Sequence, residues 1–483
     1  MTTPAATAPG SDSLVAAEFG ITMGDRGSPV GLTMAELIQV GLRRNPRRAQ
    51  LLVSTVLGKH LPADPRLIAG IGRLLGALVG RTLAGDSDDV PASWTIAARA
   101  AVSGSDPAAL LTLMETIGGS RAFADQPLLT FGFAETATSV GHLVADQLRS
   151  DYLHSTRRRD GSIPITADFT EPHSHATGHL LRPEQPGLLF GAGTVVLVDD
   201  ELSTGRTALN VIEAMHALAP RSRYVLAGIV DVRSQADDEI RAEVAGRLGC
   251  RIDVVSVVSG EITVPAATVD RVAAEVAAHE PVSTVEAGGA GVRQMELPWP
   301  VQVPHGGRHG FLDDDRDAFD SALESAAAVL REGCGGAGRV LVLGTEELMY
   351  LPLRLALALA ADPTVGRHRA VAFQSTTRSP VHAIDRPGYP IRRRIDFQSS
   401  VLGTNGDSAG RETRHVYNCN WPEHMTGGIA GNRPDEPDLI VVVDDGHALP
   451  GPTGLAEALA AATGTPVLLA VLTPAGATRD IDR

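Results

Sequence analysis

Short apolar runs rich in valine, isoleucine and leucine alternate with helix-forming segments along most of this chain. The first series contains predicted strands and helices at 128–133, 139–148, 194–198, 207–218, 224–230, 237–248 and 252–258. Apolar runs without polar alternation are typical of strands buried on both faces, and a helix between two of them is the crossover that parallel strands require. The sequence therefore predicts an α/β fold in which a parallel sheet is flanked by helices.

The alternation is interrupted by a segment rich in glycine and proline and then starts again. The second series contains predicted helices and strands at 317–331, 340–343, 348–360, 370–374, 439–443, 455–462 and 467–471. Since domains usually contain about 100 to 200 residues, a chain of 483 residues is predicted to have more than one. We predict an extended or disordered lead at 1–30, a first domain at 31–282, a linker at 283–308 and a second α/β domain at 309–483.

Three short matches occur in the same order in the two halves and indicate an internal repeat. The matching pairs are FGFAETATSVG (131–141) with LGTEELMYLPL (343–353), HSTRR (154–158) with STTRSP (375–380), and VVLVDDELSTGRT (195–207) with VVVDDGHALPG (441–451). The alternative is that any two α/β domains place a glycine after one strand and an acidic residue after another.

Charge and cysteine content argue against several classes of protein. The chain has 57 acidic and 42 basic residues and a net charge of -15, which disfavours non-specific binding to nucleic acid or anionic lipid. Its three cysteines lack the spacing of a zinc site or a disulfide framework, so a reducing cytoplasm is expected. The N-terminus lacks the basic and apolar regions of a signal peptide. The most apolar stretch, 67–79, is shorter than a membrane span of about 20 residues and is predicted to be a buried helix.

Lysine usage is unusual, because Lys59 is the only lysine among the 42 basic residues. A Walker A loop is excluded, since Lys59 is followed by His60 and has Val53 where that motif requires glycine. A compact ammonium retained in an arginine-rich chain suggests a specific partner, such as a polyphosphate oxygen. Chance survival of one lysine is the alternative.

The most informative stretch is TVVLVDDELSTGRTALNVIEAM, at 194–215. It predicts an apolar strand, two carboxylates, a loop of small and hydroxylated residues, and then a helix. Exposed amides and hydroxyls at a helix N-terminus favour an anion, and Gly205 permits close approach of the backbone. Carboxylates directly upstream would repel a phosphate unless they face ribose hydroxyls or a hydrated magnesium ion, so the pattern favours a sugar phosphate.

This stretch resembles the signature of the type I phosphoribosyltransferases, in which a hydrophobic strand leads to two acidic residues and a T/S-T-G-x-T/S loop. The resemblance implies phosphoribosyl pyrophosphate as substrate, with Asp199 and Asp200 at the ribose hydroxyls and near Mg²⁺ held through the substrate or water. It implies that the 5'-phosphate lies on Ser203, Thr204, Gly205, Arg206 and Thr207. The alternative is an exposed strand end followed by an ordinary helix cap.

FGFAETATSVG looks like the loop of that family that holds pyrophosphate between a strand and a helix. The residues assigned to it are Gly132, Glu135, Thr136, Ala137 and Thr138. A glutamate beside pyrophosphate is unexpected. Glu135 is interpreted as acting through magnesium, as orienting an arginine, or simply as an acidic residue of the first helical turn.

A long polar segment follows, where type I enzymes carry a mobile catalytic hood. Arg157, Arg158 and Arg159 are candidates to neutralise the leaving pyrophosphate, and a solvated surface is the alternative. The hood or the acceptor pocket is also expected to include His154, His173, His175 and His179. With Glu171 these histidines also permit a zinc site, acid/base assistance to an incoming base, or a purely structural role.

Together, VLGKHLPADP, GFAETATSVGH, YLHSTRR, EPHSHATGH and VVLVDDELSTGRT resemble a bacterial phosphoribosyltransferase subfamily encoded in tellurium-resistance and stress operons. The C-terminal half resembles the associated TRSP domain, whose motif is present at 377–380. DDGHALPG lacks a hydroxyl-rich phosphate loop after Asp444 and Asp445, so we expect a degenerate copy of the first domain that serves in substrate capture, packing or dimerisation. Tyr350, Arg378 and 392–394 are candidates to line a cleft.

The resemblance implies a phosphoribosyltransferase that forms or cleaves an N-glycosidic bond of a nucleotide-like metabolite by Mg²⁺-assisted displacement of pyrophosphate. The catalytic candidates are Asp199, Asp200, Arg157, Arg158 and Lys59. We expect a nucleobase-like acceptor, a homodimer and protein partners from the same operons, and neither nucleic acid nor membrane as a partner. The alternative function is a non-catalytic sensor or regulator that binds phosphoribosyl pyrophosphate.

Overall fold

The computed structural model of the chain describes residues 13–474. Gaps in the description fall at 44–48, 87–88, 105–106, 119–126, 159–162, 171–177, 192, 279–289, 362–368, 380, 400–411, 423–424, 426–435 and 447–453.

The first half of the chain is built on β-strands with helices between them. Its helices are α1 (Leu14–Phe19), α2 (Met34–Leu37), α3 (Pro65–Ala84), α4 (Ala92–Val102), α5 (Pro107–Gly118), α6 (Ala137–Leu148), α7 (Gly187–Phe190), α8 (Arg206–Leu218), α9 (Gln235–Leu248) and α10 (Thr268–Ala278). Its strands are β1 (Thr22–Gly27), β2 (Ile38–Leu42), β3 (Gln50–Ser54), β4 (Leu128–Gly132), β5 (Asp151–His154), β6 (Ala167–Thr170), β7 (Gly178–Leu181), β8 (Thr194–Leu202), β9 (Arg223–Asp231) and β10 (Arg251–Thr263).

The second half is smaller and has the same kind of construction. Its strands are β11 (Val292–Trp299), β12 (Arg339–Gly344), β13 (Ala370–Ser375), β14 (Arg394–Gln398), β15 (Thr413–Tyr417), β16 (Leu439–Asp444) and β17 (Val467–Pro474). Its helices are α11 (Arg316–Cys334), α12 (Tyr350–Ala360) and α13 (Leu455–Thr463), and short 3-10 turns lie at Gly307–His309 and Asp313–Asp315.

Each half contains one main sheet. The first has the strand order β1-β10-β9-β8-β4-β5, in which only β1 is antiparallel to its neighbour. The second has the order β11-β17-β16-β12-β13 and is parallel throughout. The predicted α/β class with a parallel sheet flanked by helices, followed by a second α/β region of similar type, is confirmed.

The predicted internal repeat is confirmed by the topology. The order β5-β4-β8-β9 of the first sheet corresponds strand for strand to β13-β12-β16-β17 of the second. The connections correspond as well. Helices α6 and α12 follow strands β4 and β12, and helices α8 and α13 follow strands β8 and β16. In both halves an antiparallel hairpin, β6-β7 or β14-β15, lies in the chain before β8 or β16. The short sequence matches therefore mark equivalent strand ends.

The predicted linker at 283–308 contains a strand of the second sheet. Residues Val292–Trp299 form β11, an edge strand paired in parallel with β17. Leu297 and Trp299 are buried while the residues between and before them are mostly exposed, which is the alternation of a half-buried strand. Because glycine and proline surround this run, its sequence does not predict a strand. Pro298 is nevertheless compatible with an edge strand.

The predicted extended or disordered lead at 1–30 contains a helix and a strand from residue 13 onward. Ser13 caps α1 by accepting a hydrogen bond from the Ala16 amide, and β1 extends the first sheet by pairing with β10. Val15, Phe19 and Ile21 are buried in the core. Such a short helix is ordered by the core against which it and the residue Ile21 pack. Its own sequence gives little indication that it will be helical.

The most apolar helix, α3, is long enough to cross a membrane by length and composition, and 72% of its apolar window is buried inside the protein. Asp64 caps its N-terminus and Pro65 occupies its first turn, while Gly85 ends it in the left-handed conformation. The glycines at 70, 72 and 76 lie against α5 and α6, where an added Cβ would come within 2.7 Å of neighbouring side chains. These contacts confirm the predicted buried helix.

The two halves are joined by a shared apolar cluster and by an exchange of backbone segments. Leu143 and Tyr152 of the first half pack in one cluster with Phe311 and Phe319 of the second. Backbone bonds link Tyr152 and Phe311 in both directions, at 2.7 and 2.8 Å, so a segment of the second half extends the edge of the first sheet. Ala63 pairs in the same way with Phe373 at the edge of the second sheet.

A buried carboxylate lies at the centre of this junction. Glu347, whose side chain is 1% exposed, accepts hydrogen bonds from the Thr156 hydroxyl and from the Arg157 amide, and it forms an ion pair with Arg308 at 2.9 Å. Although burial opposes ionisation, the Arg308 guanidinium and these donors lower the pKa of Glu347 to about 2. The carboxylate is therefore charged, and its hydrogen bonds and ion pair connect the two halves.

Replacing this carboxylate with an amide is expected to destabilise the protein. Glu347→Gln removes the nearer of the two carboxylates that pair with the partly buried Arg308, the other being Asp445 at 3.5 Å. We expect a loss of about 3 kcal/mol in the free energy of unfolding, measured by urea denaturation at pH 7. The matched control is Glu213→Gln, which removes an exposed ion pair with Arg247 and is expected to cost less than about 1 kcal/mol. Equal losses for the two variants would contradict the role of Glu347.

The buried histidines predict a pH dependence of stability. Burial lowers the pKa of His60 and His142 well below the ordinary value and lowers that of His154 to about 4. Each ring is neutral in the folded protein and takes up a proton on unfolding below about pH 6.5, so stability is present above that pH and falls as the pH drops toward 4.

His142→Phe is expected to weaken this dependence. The ring of His142 stacks on Tyr350 with centroids 3.6 Å apart, and phenylalanine keeps an aromatic ring there without a titrating nitrogen. Well below pH 6.5 the slope of unfolding free energy against pH should fall by about 1.4 kcal/mol per pH unit relative to the wild type. Urea denaturation between pH 7.5 and pH 5 measures both slopes, and parallel curves would show that His142 does not contribute.

Candidate functional site

The carboxyl end of β8 presents the predicted acidic pair. The strand continues through Asp199 and Asp200 to Leu202, four residues beyond its predicted end, because Glu201 and Leu202 still pair with β9. Both aspartates are half-buried. Asp199 Oδ1 accepts a hydrogen bond from the Asp200 amide at 2.9 Å, which fixes the orientation of the first carboxylate. The pair thus lies at the edge where parallel sheets bind ligands.

The predicted phosphate loop forms a tight turn between β8 and α8. Gly205 has φ 72° and is the N-cap residue of α8, a conformation that glycine adopts at little cost. Ser203, Thr204 and Thr207 are half-buried and Arg206 is exposed. The first amides of α8 have no carbonyl one turn earlier within the helix, so the turn offers donors to an anion.

The single lysine meets the second aspartate of the pair. Lys59 Nζ lies 3.2 Å from Asp200 Oδ2, and the two side chains are 16% and 17% exposed. They are 141 positions apart in the sequence. The structure therefore brings three predicted groups together, namely the lone ammonium, the acidic pair and the phosphate loop.

The loop predicted to hold pyrophosphate is largely buried. A Cβ atom at Gly132 would lie 2.3 Å from the Tyr152 hydroxyl, so glycine is needed there for packing. Ala137 and Thr138 are buried, and their amides bond to carbonyls of Phe133 and Glu135 within the turn. The peptide bond between Ala134 and Glu135 is cis, and Thr136 is half-buried at the N-cap of α6.

Glu135 contacts an arginine of the second half. Its carboxylate lies 2.5 Å from Arg378 Nε, and Arg378 also pairs with Glu412 at 3.1 Å. Arg378 belongs to the TRSP motif, of which Thr377 and Ser379 are also described. Among the three interpretations of Glu135, its contact with an arginine is the one present in the structure. The loop at the end of β4 is therefore tied to the second half.

The arginines assigned to a mobile hood occupy a different place from the predicted one. Arg157 and Arg158 are 6% and 5% exposed and lie between the halves, so neither an open hood nor a solvated surface describes them. Arg158 pairs with Asp445 at 2.6 Å. They follow closely after β5 and contact Glu347 and Asp445 of the second half, which local sequence does not reveal. Arg159 lies outside the described residues.

Of the predicted histidines, His154 and His179 are both buried. His179 Nδ1 bonds to the Ser155 hydroxyl at 2.8 Å, and that oxygen also accepts the Ala134 amide at 3.0 Å. His154 Nδ1 lies 2.9 Å from the Ser155 carbonyl. These two rings support the loop at the end of β4. Glu171, His173 and His175 lie outside the described residues.

In the second half, the second aspartate of the equivalent acidic pair contacts two arginines. Asp445 is 6% exposed and contacts Arg158 at 2.6 Å and Arg308 at 3.5 Å. The side chain of Asp444 accepts the Gly446 amide at 2.9 Å. Where Asp200 meets one ammonium and remains half-buried, its counterpart Asp445 is enclosed by two guanidinium groups.

The other residues predicted to line a cleft have local partners. Tyr350 donates a hydrogen bond to Asp146 at 2.5 Å, and Arg392 and Arg394 pair with Asp385 and Asp396. Among the described residues, no group of three or more His, Cys, Asp or Glu side chains is placed to hold a metal ion.

Sequence reasoning missed Arg308, Glu347 and Gln374. Arg308 had a visible signal, because GRH at 307–309 precedes α11 much as GKH at 58–60 precedes α3. Lys59 reaches the second aspartate of one pair and Arg308 reaches the second aspartate of the other. Extending the internal repeat to this motif would have found the second cation.

Comparison with known proteins gives relatives that match about a third of this chain. The bifunctional protein PyrR of Streptomyces coelicolor is 29% identical over 150 residues, which are 31% of this chain and 76% of that protein. Adenine phosphoribosyltransferase of Trypanosoma brucei is 18% identical over 28% of this chain and 58% of its own, with a TM-score of 0.21. The enzyme of Leishmania donovani is 18% identical over 32% and 66%, with a TM-score of 0.23. The match thus spans less than two thirds of either of these two structures.

Two family models match consecutive parts of the chain. The model described as phosphoribosyl transferase matches 37–261, which contains the acidic pair, the phosphate loop and Lys59. The model described as the TRSP domain C-terminal to that family matches 305–459. Residues 37–261 therefore belong to the phosphoribosyl transferase family, and residues 305–459 are the TRSP domain that accompanies it.

Proposed function

We propose that the first half binds phosphoribosyl pyrophosphate and exchanges its pyrophosphate for a nitrogen of a nucleobase-like acceptor, or catalyses the reverse cleavage. The observation that carries this proposal is the convergence of Asp199, Asp200 and Lys59 beside the turn that begins α8. The turn supplies amide donors for a 5'-phosphate, and the half-buried carboxylates supply acceptors for ribose hydroxyls. These donors and acceptors together fit one sugar phosphate lying along the carboxyl edge of β8.

The charges suit the proposed chemistry. As the bond between the anomeric carbon and the pyrophosphate oxygen breaks, the leaving oxygen takes the electron pair and the ribose becomes cationic, until the acceptor nitrogen forms the new bond. Carboxylates near the ribose stabilise this cation more than the ground state. Lys59 is proposed to position Asp200 and to offer its ammonium to a phosphate oxygen.

Magnesium fits this site as a companion of the substrate. Asp199 and Asp200 provide two adjacent half-buried carboxylates, and Mg²⁺ in proteins is commonly held by one or two carboxylates together with phosphate oxygens and water. Bound there, the ion would neutralise charge on the departing pyrophosphate. Cytoplasmic location, a homodimer and partners from stress operons remain predictions.

A second candidate is a non-catalytic regulator that binds the same ligand. It is favoured by the burial of Arg157 and Arg158, because Arg158 already pairs with Asp445 and is therefore engaged before any pyrophosphate arrives. Incubation with Mg²⁺, phosphoribosyl pyrophosphate and a panel of nucleobases distinguishes the two. Release of pyrophosphate supports the enzyme, whereas tight binding with no release from any base supports the regulator.

The acidic pair gives the sharpest test of the site. Asp199→Asn with Asp200→Asn is expected to weaken binding of phosphoribosyl pyrophosphate about 100-fold, since two charge-assisted hydrogen bonds of about 1.5 kcal/mol each are lost. Isothermal titration calorimetry with Mg²⁺ measures the affinity, and melting temperature checks the fold. Asp444→Asn, at the corresponding strand end of the second half, serves as the control. Wild-type affinity of the double variant would remove the assigned site.

Lys59→Arg tests whether a compact ammonium is required. The larger planar guanidinium cannot occupy the same position beside Asp200, so we expect turnover to fall on the order of tenfold while the protein stays folded. The readout is the rate of pyrophosphate release with the acceptor identified in the nucleobase panel. An unchanged rate would mean that turnover does not require a lysine at this position.

A further inference from the structure

The segment that carries Lys59 is held by the second half of the chain. Phe373 of β13 exchanges two backbone hydrogen bonds with Ala63, at 2.8 and 3.0 Å, and the Ser375 amide donates to the Gly58 carbonyl at 2.7 Å. Residues 58–63 thus lie along the free edge of the second sheet. The side chain of Lys59 nevertheless reaches Asp200 in the first half.

Gln374 fixes the position next to Lys59. Its side chain is fully buried, and Nε2 donates to the carbonyl of His60 at 3.2 Å and to that of Tyr417 at 2.6 Å. The backbone is therefore anchored to the second half on both sides of Lys59, through Gly58 and through His60. An anchored backbone fixes the point from which the lysine side chain extends and so leaves its ammonium fewer positions to occupy.

Close packing at Gly58 supports the same contact. Gly58 has φ 72°, and a Cβ atom there would lie 2.7 Å from Cδ1 of Phe373. Any other residue would be strained by the backbone and would push the segment away from β13. The approach of this segment to the second sheet thus depends on a residue without a side chain.

The reciprocal contact in the other half has the same design. Phe311 pairs with Tyr152 at the edge of the first sheet, and Arg308, just before it, reaches Asp445 of the second half. In both cases a segment bound to one sheet delivers a cation to the acidic pair of the other. The arrangement is therefore a feature of the repeat and is not peculiar to Lys59.

We propose that the TRSP half is a positioning element of the phosphoribosyl site, with Gln374 as the positioning residue that acts through Lys59. This inference rests on the proposed function of the first half. Gln374 would not touch the substrate. It would hold the His60 carbonyl so that the ammonium of Lys59 stays beside Asp200. The half whose sequence has DDGHALPG in place of the hydroxyl-rich loop would then contribute to ligand binding at the other half.

A double-mutant cycle on Gln374 and Lys59 tests the proposal. Affinity for phosphoribosyl pyrophosphate with Mg²⁺ is measured by calorimetry for the wild type, Gln374→Met, Lys59→Met and the double variant. We expect about a tenfold loss for Lys59→Met and about a three- to tenfold loss for Gln374→Met. In the Lys59→Met background, Gln374→Met should cause no further loss, because its effect passes through the ammonium.

The control is Gln147→Met, which makes the same change at a glutamine whose side chain donates to the Ile117 carbonyl away from the site. It should leave the affinity unchanged. Independent, additive losses at Gln374 and Lys59 would overturn the inference, since a general structural effect does not require the lysine. If the wild type itself fails to bind the ligand, the proposed function fails first.

A second variant covers the case in which Gln374→Met does not fold, as judged by its melting temperature. Gly58→Ala disturbs the same contact from the side of the first half. It should weaken binding in the wild type and have no effect in the Lys59→Met background. An equal loss in both backgrounds would again overturn the positioning role.

Discussion

The exchange of edge segments is the constraint from which the rest of the structure follows. At one of its two edges, β5 in the first sheet and β13 in the second, each main sheet pairs with backbone from the other half. An exposed strand edge can pair with another chain and cause aggregation. The pairing between the halves covers two such edges. As a result, the carboxyl-end loops of the two sheets face each other, and their charged side chains must find partners across the junction.

The carboxylates at the junction differ in burial and in their partners. This difference distinguishes the carboxylates of a structural contact from those of the candidate site. Glu347 and Asp445 are almost fully buried and neutralised by arginines. Buried carboxylates of this kind hold halves together, because removing one partner leaves a charge without compensation. Asp199 and Asp200 keep partial exposure next to an open turn, which is what a ligand requires.

Sequence alone predicts the features that depend on local pattern. The strand and helix alternation, the three repeated motifs, the glycine of the turn at 205 and the acidic pair each leave a signature within a few residues. The features that were missed depend on tertiary contacts. β11 looked like a linker because glycine and proline flank it, and Arg158 looked like a solvent-exposed hood residue because nothing nearby reveals Asp445. Lys59 was singled out by rarity, but its partner became identifiable only with the fold.

The crossing of the two backbone segments also bears on how such a chain evolves. When two copies of a unit merely sit side by side, one copy can decay and disappear without harm to the other. Here the second half supports the segment that carries the only lysine, and its own Asp445 is paired with Arg158 from across the junction. A duplication that exchanges segments in this way is difficult to reverse, since deleting the second half would remove the strand edge to which the segment with Lys59 is bound.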